Sequence, residues 1–267
     1  MIKIKYLSSF VNEFGDYKKD ILHLLSFFTI IPIKSNTKTK LSKSLYALPL
    51  VSLIIGVIAA IPLLTLSLIN MPNLIISIIT IFTLILVTGA LHEDGIADFM
   101  DSFGGAKSKT KKIEILSDSN IGSYGTIALI LSILTRIIAL YLILESSGIL
   151  SAISALLAVS VLSRTSMIHI LATLPAVKKS GLGHSATMPE KNILIFSYSL
   201  SILIISLLTI PAFGFLGLFF VISSGILASL LVTSIAFKHL GGQTGDVCGS
   251  VQQISEILIY LSLLIII

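Results

Sequence analysis

From residue 45 onward the chain is a succession of long apolar runs separated by brief polar breaks. Seven runs stand out, approximately Leu45–Ile69, Leu74–Leu91, Ile121–Leu144, Ile149–Leu174, Ile193–Ile210, Phe213–Phe237 and Ile254–Ile267. A helix crossing a bilayer needs about 20 apolar residues, and the last run is short, so the pattern predicts six or seven spans. None of the runs alternates apolar and polar residues as a membrane strand would, and backbone groups in lipid must then be satisfied within helices. Pro49 and Pro62 are expected to kink the first span. Ahead of it, Met1–Ile33 carries Glu13, Asp16 and Asp20 before a short apolar run, Ile21–Ile33. Acids there exclude a secretory signal and fit an amphipathic helix on the membrane surface. The expected fold is an all-α polytopic membrane bundle of six to seven transmembrane helices, one domain over residues 1–267.

Composition sharpens this reading. Hydrophobic residues make up 55% of the chain and charged residues 12%, too little charge to cover a soluble domain of this size. The charges are also sorted. Sixteen of the eighteen basic residues lie before the first run, between the second and third, between the fourth and fifth, or after the sixth. The connections at Met71–Asn73, Glu145–Gly148 and Pro211 contain none. The positive-inside rule makes the basic side cytoplasmic. The net charge of +5 therefore follows from topology and anionic headgroups and does not imply nucleic-acid binding. The single cysteine, Cys248, excludes an internal disulfide and a cysteine-rich metal site.

Candidate chemistry gathers on the same side, where the connections are long. Glu93, Asp94, Asp98 and Asp101 fall within nine residues, directly after a run without charge. On a helix Asp94, Asp98 and Asp101 stand at i, i+4 and i+7 and share one face. Like charges so placed repel unless a hard divalent cation sits among them, and oxygen-only ligation suits magnesium, with a phosphate as its natural partner. Two further polar stretches are Ser117–Gly125, which opens the third run, and Gly241-Gly242-Gln243-Thr244-Gly245-Asp246-Val247-Cys248-Gly249, before the last. Glycines let backbone N–H groups turn toward an anion, and a helix N-terminus favours negative charge. Together the pieces suit a metal-bound diphosphate.

Each piece has a plainer counterpart. An interhelical glycine run is commonly only a turn, and neither run is a P-loop. Asp118 is equally placed to cap the following helix. Arg136 and Arg164, inside apolar runs, either face phosphate or pair with a buried carboxylate. His169 and His239 read as polar contacts between helices, Cys248 as packing, and His184 is open between loop and site. The three-aspartate face has no comparable structural excuse.

The run His-Glu-Asp-Gly-Ile-Ala-Asp-Phe-Met-Asp at 92–101, Asp-Ser-Asn-Ile-Gly-Ser-Tyr-Gly at 118–125 and Gly-Gly-Gln-Thr-Gly-Asp-Val-Cys-Gly at 241–249 resemble the cobalamin synthases, the adenosylcobinamide-GDP ribazoletransferases. Leu25-Ser26-Phe27 through Pro32, Ser163-Arg164 and Gly181-Leu182-Gly183 extend the resemblance, in order, over almost the whole chain. It implies a magnesium-dependent transferase that joins adenosylcobinamide-GDP to α-ribazole or its 5′-phosphate, releasing GMP and giving adenosylcobalamin or its 5′-phosphate. By the same resemblance the metal falls to Asp94, Asp98 and Asp101, with Glu93 ranked behind them. Asp246 or Asp98 would accept the hydroxyl proton. Arg164, Arg136 or a lysine among 107–112 would neutralise charge, and Asp118, Gly122, Gly241, Gly242, Thr244 and Gly245 would face substrate phosphate. The implied partners are two small-molecule substrates, the bilayer and a second copy of the chain, with no nucleic acid. The implied setting is the cytoplasmic membrane, with the active site toward the cytoplasm. One departure is Gln253, where the family commonly has an acid.

Two rivals make different demands. A CDP-alcohol phosphotransferase wants an arginine soon after Asp-Gly, whereas Asp94-Gly95 is followed by Ile96, Ala97 and Asp98. A transporter wants ionisable groups at mid-bilayer and repeated broken helices; only Arg136 and Arg164 lean that way.

Overall fold

The structure is a computed structural model that describes residues 17–34, 40–118 and 120–267. The part of the expected N-terminal helix that holds Glu13 and Asp16 lies outside them. Among the described residues there is no strand, only one parallel bridge between Ala176 and Gln243. The helices are α1 (Tyr17–Phe28), α2 (Leu48–Leu68), α3 (Asn73–Thr88), α4 (Leu91–Gly105), α5 (Lys109–Ile115), α6 (Ser123–Thr173), α7 (Lys191–Leu240) and α8 (Gly245–Leu264). A helical turn at Leu41–Ser44 and a 3-10 turn at Leu45–Ala47 lead into α2.

Four stretches are long and apolar enough to cross a membrane: Leu41–Leu68, α6, α7 and α8, with the bent pair α3 and α4 a fifth when counted as one. The chain is thus a helical membrane protein. Both α6, of 51 residues, and α7, of 50, are interrupted by one non-helical glycine, Gly148 (φ 78°, ψ 177°) and Gly214 (φ 67°, ψ −173°). Positive φ at these points is open to glycine and strained for other residues, so each stretch is two helices joined by a single-residue break. The ends of the bundle are pinned differently. At one end the Asn73 amide donates to Glu145 at 2.7 Å, holding two lysine-free connections together. At the other, Gln243 N donates to Pro175 O at 2.8 Å and Val177 N to Gln243 O at 2.9 Å, so the long basic connections converge.

Two helices depart from the apolar pattern, for physical reasons. The run expected at Leu74–Leu91 stops at Thr88, because Gly89 and Ala90 both take left-handed backbone (φ 62° and 55°). Their N–H groups close onto Ile85 and Leu86 carbonyls, and α4 leaves α3 at 88°. The chain therefore turns the acidic segment out of the span's direction. The last run, expected from Ile254, begins at Gly245 instead. Its first half is polar because Gln252, Gln253 and Glu256 face the bundle interior and are buried.

Within the N-terminal segment the described residues form α1, which buries Leu24, Leu25 and Phe28. Its Asp20 accepts from Ser44 Oγ at 2.7 Å and Tyr46 Oη at 2.6 Å, tying α1 to the start of the first span. Pro62 lies within α2 and Pro49 in its first turn, where a missing N–H costs nothing. Large apolar side chains such as Val57, Phe82, Leu131, Phe215 and Phe219 are exposed, as a lipid-facing surface requires.

Candidate functional site

The site is built where α4 crosses α8. Both helices carry glycine at the crossing. A β-carbon on Gly95 would lie 2.9 Å from Asp246 O and 3.0 Å from the Cα of Gly249. Ser250 Oγ donates to Gly95 O at 3.1 Å across the same contact. This approach brings the acidic face of α4 up to the first turn of α8 and so makes Asp246 a neighbour of Asp98. Gly95→Val is expected to pry the helices apart, costing about 1–3 kcal/mol by overpacking and removing activity. Thermal unfolding in detergent, alongside turnover, checks this.

Asp98 registers the neighbourhood. Burial, Asp94 and Asp246 push its carboxyl up to about 6, against the opposing pull of Lys178 and with Asp101 adding to the rise. Lys178 Nζ lies 3.4 Å from Asp246 Oδ2 and donates to Leu116 O at 2.7 Å. Thr244 caps α8, accepting from Val247 N at 3.3 Å, and its hydroxyl also donates to Asp246 Oδ2 at 3.1 Å. Asp94, Asp98 and Asp246 thus share one small volume with one lysine.

The other predicted residues are distributed less simply. Asp101 is buried and accepts from Gly122 N at 2.7 Å and Gly125 N at 2.9 Å. It fastens the start of α6 to α4, and a β-carbon at Gly122 or Gly125 would strike its carboxylate. Gly122 is thereby a partner of Asp101. Glu93 points into the bundle, away from its expected place among the metal ligands. Its Oε1 lies 2.9 Å from Arg136 Nη2 and accepts from Gln253 at 3.0 Å. Arg136 also donates to Glu256 at 2.9 Å, and Arg164 Nη1 is 4.0 Å from the other Glu256 oxygen and donates to Ser160 O at 3.1 Å. Both arginines therefore follow the buried-carboxylate alternative, and the lean toward transport goes with them. Gln253 also accepts from Ser132 at 2.7 Å. A neutral amide here leaves two arginines balanced by two glutamates; an acid would add a third negative charge to a dry interior.

The glycine run follows the plainer reading at two positions. Gly241 ends α7 in left-handed backbone (φ 68°), and Gly242 packs against Pro175 O too closely for any β-carbon. Asp118 accepts from the backbone and side chain of Asn120 at 3.1 and 2.7 Å, forming an Asx turn. Lys111 pairs with Glu114 at 3.0 Å. Lys112 sits over the Phe103 ring at 4.2 Å and reaches His239 Nδ1 at 3.3 Å. The residues that sequence reasoning passed over are Lys178, counted only for topology, and Gln243, a buried wedge that donates to Gly183 O at 2.7 Å.

Two cavities meet at Asp94. The first, about 220 Å³, is bounded by Phe27, Phe28, His92, Met167, Lys178, His184, Thr244, Gly245 and Asp246 among others. The second, about 440 Å³, is bounded by Glu93, Ala97, Asp98, Leu116, Ser117, Asp118, Ile121 and Leu129. Among the described residues no three His, Cys, Asp or Glu side chains close into a ready-made metal cage. Magnesium seldom needs one, since it keeps waters and substrate oxygens in its shell.

A carboxylate cluster with an accompanying lysine is thus set between two cavities at the basic end of a helical membrane protein. Comparison identifies the family. Residues 20–264 match the family model described as cobalamin-5-phosphate synthase, and the chain belongs to that family. It is 36% identical over 252 residues to an adenosylcobinamide-GDP ribazoletransferase of Azorhizobium caulinodans, covering 92% of this chain and 95% of that one. Proteins of the same name from Rhizobium johnstonii and Bradyrhizobium diazoefficiens are 35% and 31% identical, each over 91% of this chain, covering 95% and 92% of theirs. No solved structure matches.

Proposed function

We propose that this chain joins adenosylcobinamide-GDP to α-ribazole or its 5′-phosphate at the cytoplasmic face of the cell membrane. The observation that carries the reading is the cluster of Asp94, Asp98 and Asp246 beside Lys178, in a chain whose relatives are named for this transfer. A ribose hydroxyl oxygen bonds to the phosphorus attached to cobinamide. The bond from that phosphorus to the bridging oxygen breaks, and GMP leaves with the oxygen. The hydroxyl proton passes to a carboxylate. Asp246 suits this role, because Lys178 and the Thr244 hydroxyl both hold its Oδ2 and the residue bounds the smaller cavity. Lys178 supplies positive charge for the phosphate oxygens that gain negative charge.

The donor set fits magnesium: oxygen ligands only, with crowding that burial alone does not explain. Asp94 and Asp98 would hold the ion, Asp101 orients the end of their helix face, and Glu93 serves the bundle. Bound there, magnesium supplies Lewis-acid stabilisation of diphosphate oxygens. At a carboxyl raised to about 6, the proton and the metal compete for the same oxygens. Magnesium affinity should therefore fall about tenfold per pH unit below 6 and level off above it, read by titration calorimetry with adenosylcobinamide-GDP present. In chelator the sign reverses for stability. Asp98 binds its proton more tightly folded than unfolded, so its contribution is full below its ordinary value of 3.8 and is lost as pH rises through about 6.

The membrane arrangement is part of the proposal. A continuous helix of 51 residues would be about 75 Å long, against a hydrocarbon core of about 30 Å. We read α6 and α7 as hairpins folded at Gly148 and Gly214, which gives seven passes and puts every long basic loop on one side. The test is a membrane assay with adenosylcobinamide-GDP, α-ribazole and magnesium, following corrinoid product and GMP by mass spectrometry. Equal amounts of both products, lost on adding EDTA, are expected. Neither product from correctly inserted protein, with α-ribazole or its 5′-phosphate, overturns the reading.

A further inference from the structure

The two cavities that meet at Asp94 differ in their walls, and a transfer reaction has two substrates. Resting on the reaction proposed above, we infer that the smaller cavity is the acceptor site and holds the flat heteroaromatic base of the ribazole, while the larger takes the diphosphate tail of the corrinoid donor.

The smaller cavity has an apolar, aromatic side built by Phe27 and Phe28 of α1, Leu91 of α4 and Met167 of α6. Phe28 stacks on His92 with ring centres 6.0 Å apart and planes within 5°, so the wall presents rigid flat surfaces. A thioether such as Met167 packs well against an aromatic ring. His92 is buried and its Nε2 has no protein partner, which leaves a ring nitrogen at this wall able to give or take a hydrogen bond. The same cavity is also bounded by Lys178, Thr244 and Asp246. Apolar and polar lining in one cavity is what an aromatic base on a ribose requires, with the ribose hydroxyl delivered to Asp246.

The larger cavity is bounded by Glu93, Asp94, Asp98 and Asp118 together with Ile121 and Leu129, and among the described residues its lining has no aromatic ring. A corrin macrocycle is too large for 440 Å³, so the ring system stays outside and only its phosphate tail enters. Ile121, which bounds this cavity, is exposed and gives the ring an apolar surface to rest on. Lys178 lies across the seam, touching Asp246 of the first cavity and Leu116 O of the second. Asp94 borders both. The reacting phosphorus belongs at that seam.

The inference makes specificity a property of the Phe27, Phe28 and Met167 wall, and it separates the two Michaelis constants. Phe27→Ala, at an exposed position that folding tolerates, and Met167→Ala should each raise KM for α-ribazole about tenfold, the scale of a lost apolar contact. KM for adenosylcobinamide-GDP should stay within about twofold. Leu129→Trp, which fills the larger cavity, should do the reverse. Calorimetry with α-ribazole alone, in detergent and without donor, reads the same wall when turnover is not measured; weaker binding to Phe27→Ala than to wild type is expected. Donor KM rising with the Phe27 and Met167 variants, both constants rising together, or unchanged α-ribazole binding would each overturn the assignment. Wild-type protein that binds α-ribazole at this wall yet forms no product would instead strike at the reaction itself.

Discussion

Asp94→Ala is expected to lower turnover at least about a thousandfold, the upper end of what removing one preorganised electrostatic group costs, with insertion and thermal unfolding close to wild type. Asp94 borders both cavities and helps to push up Asp98. It has no resolved part in the Arg136–Glu256 network, so the bundle should not notice its loss. Asp98→Ala should behave alike. Asp101→Ala should differ, because its carboxylate accepts two backbone N–H groups at the start of α6. There activity and stability should fall together. Initial rates and unfolding curves on the three variants separate these patterns. Full activity in both Asp94→Ala and Asp98→Ala would remove the metal-site reading.

Glu256→Ala should be the most destabilising single change in the interior. Glu256 is fully buried and pairs with Arg136 at 2.9 Å, with Gln252 donating to it at 2.6 Å. Truncating Glu256 leaves the Arg136 and Arg164 guanidiniums with Glu93 as their one carboxylate, and an uncompensated buried charge costs about 3–5 kcal/mol. The same effect is expected of Arg136→Ala, which strands Glu93 and Glu256 together. Removing charge from both sides, as in Arg136→Met with Glu256→Gln, should recover part of the stability, since one buried charge of each sign is removed, although Glu93 keeps only its bond from Gln253. Activity should recover less, because Glu93 then loses the contact that fixes the rotation of α4 one residue before Asp94. Thermal unfolding in detergent and turnover, measured side by side on the single and double variants, check both halves. A double variant no more stable than its parents would contradict the pairing.

Much of the fold is written in the apolar runs, because a membrane span has only its own length and composition to satisfy. The breaks near Gly148 and Gly214 were visible as the lysine-free interruptions at Glu145–Gly148 and Pro211. The aspartate face was visible because i, i+4 and i+7 spacing is local. What stayed hidden depends on distant partners. The true start of α8 was masked by Gln252, Gln253 and Glu256, which look like loop residues until Arg136, 120 positions earlier, is placed against them. Glu93 resembled a fourth ligand for the same reason. The glycines of 241–249 could be read as a phosphate cradle or as packing; the closeness of Pro175 to Gly242 favours packing at that position, while Gly245 and Gly249 border the smaller cavity. Lys178 gave no signal beyond its sign.

The central proposal is that Asp94 and Asp98, on one face of α4 and beside Asp246, hold the metal that meets the diphosphate. Electron paramagnetic resonance with manganese in place of magnesium, on detergent-solubilised protein with adenosylcobinamide-GDP, tests it most directly. Wild-type protein should give a bound manganese signal that needs the donor for full occupancy. That signal should vanish in Asp94→Ala with Asp98→Ala and persist in Glu93→Gln. Manganese bound equally well by the double variant, or lost with Glu93→Gln alone, would contradict the claim.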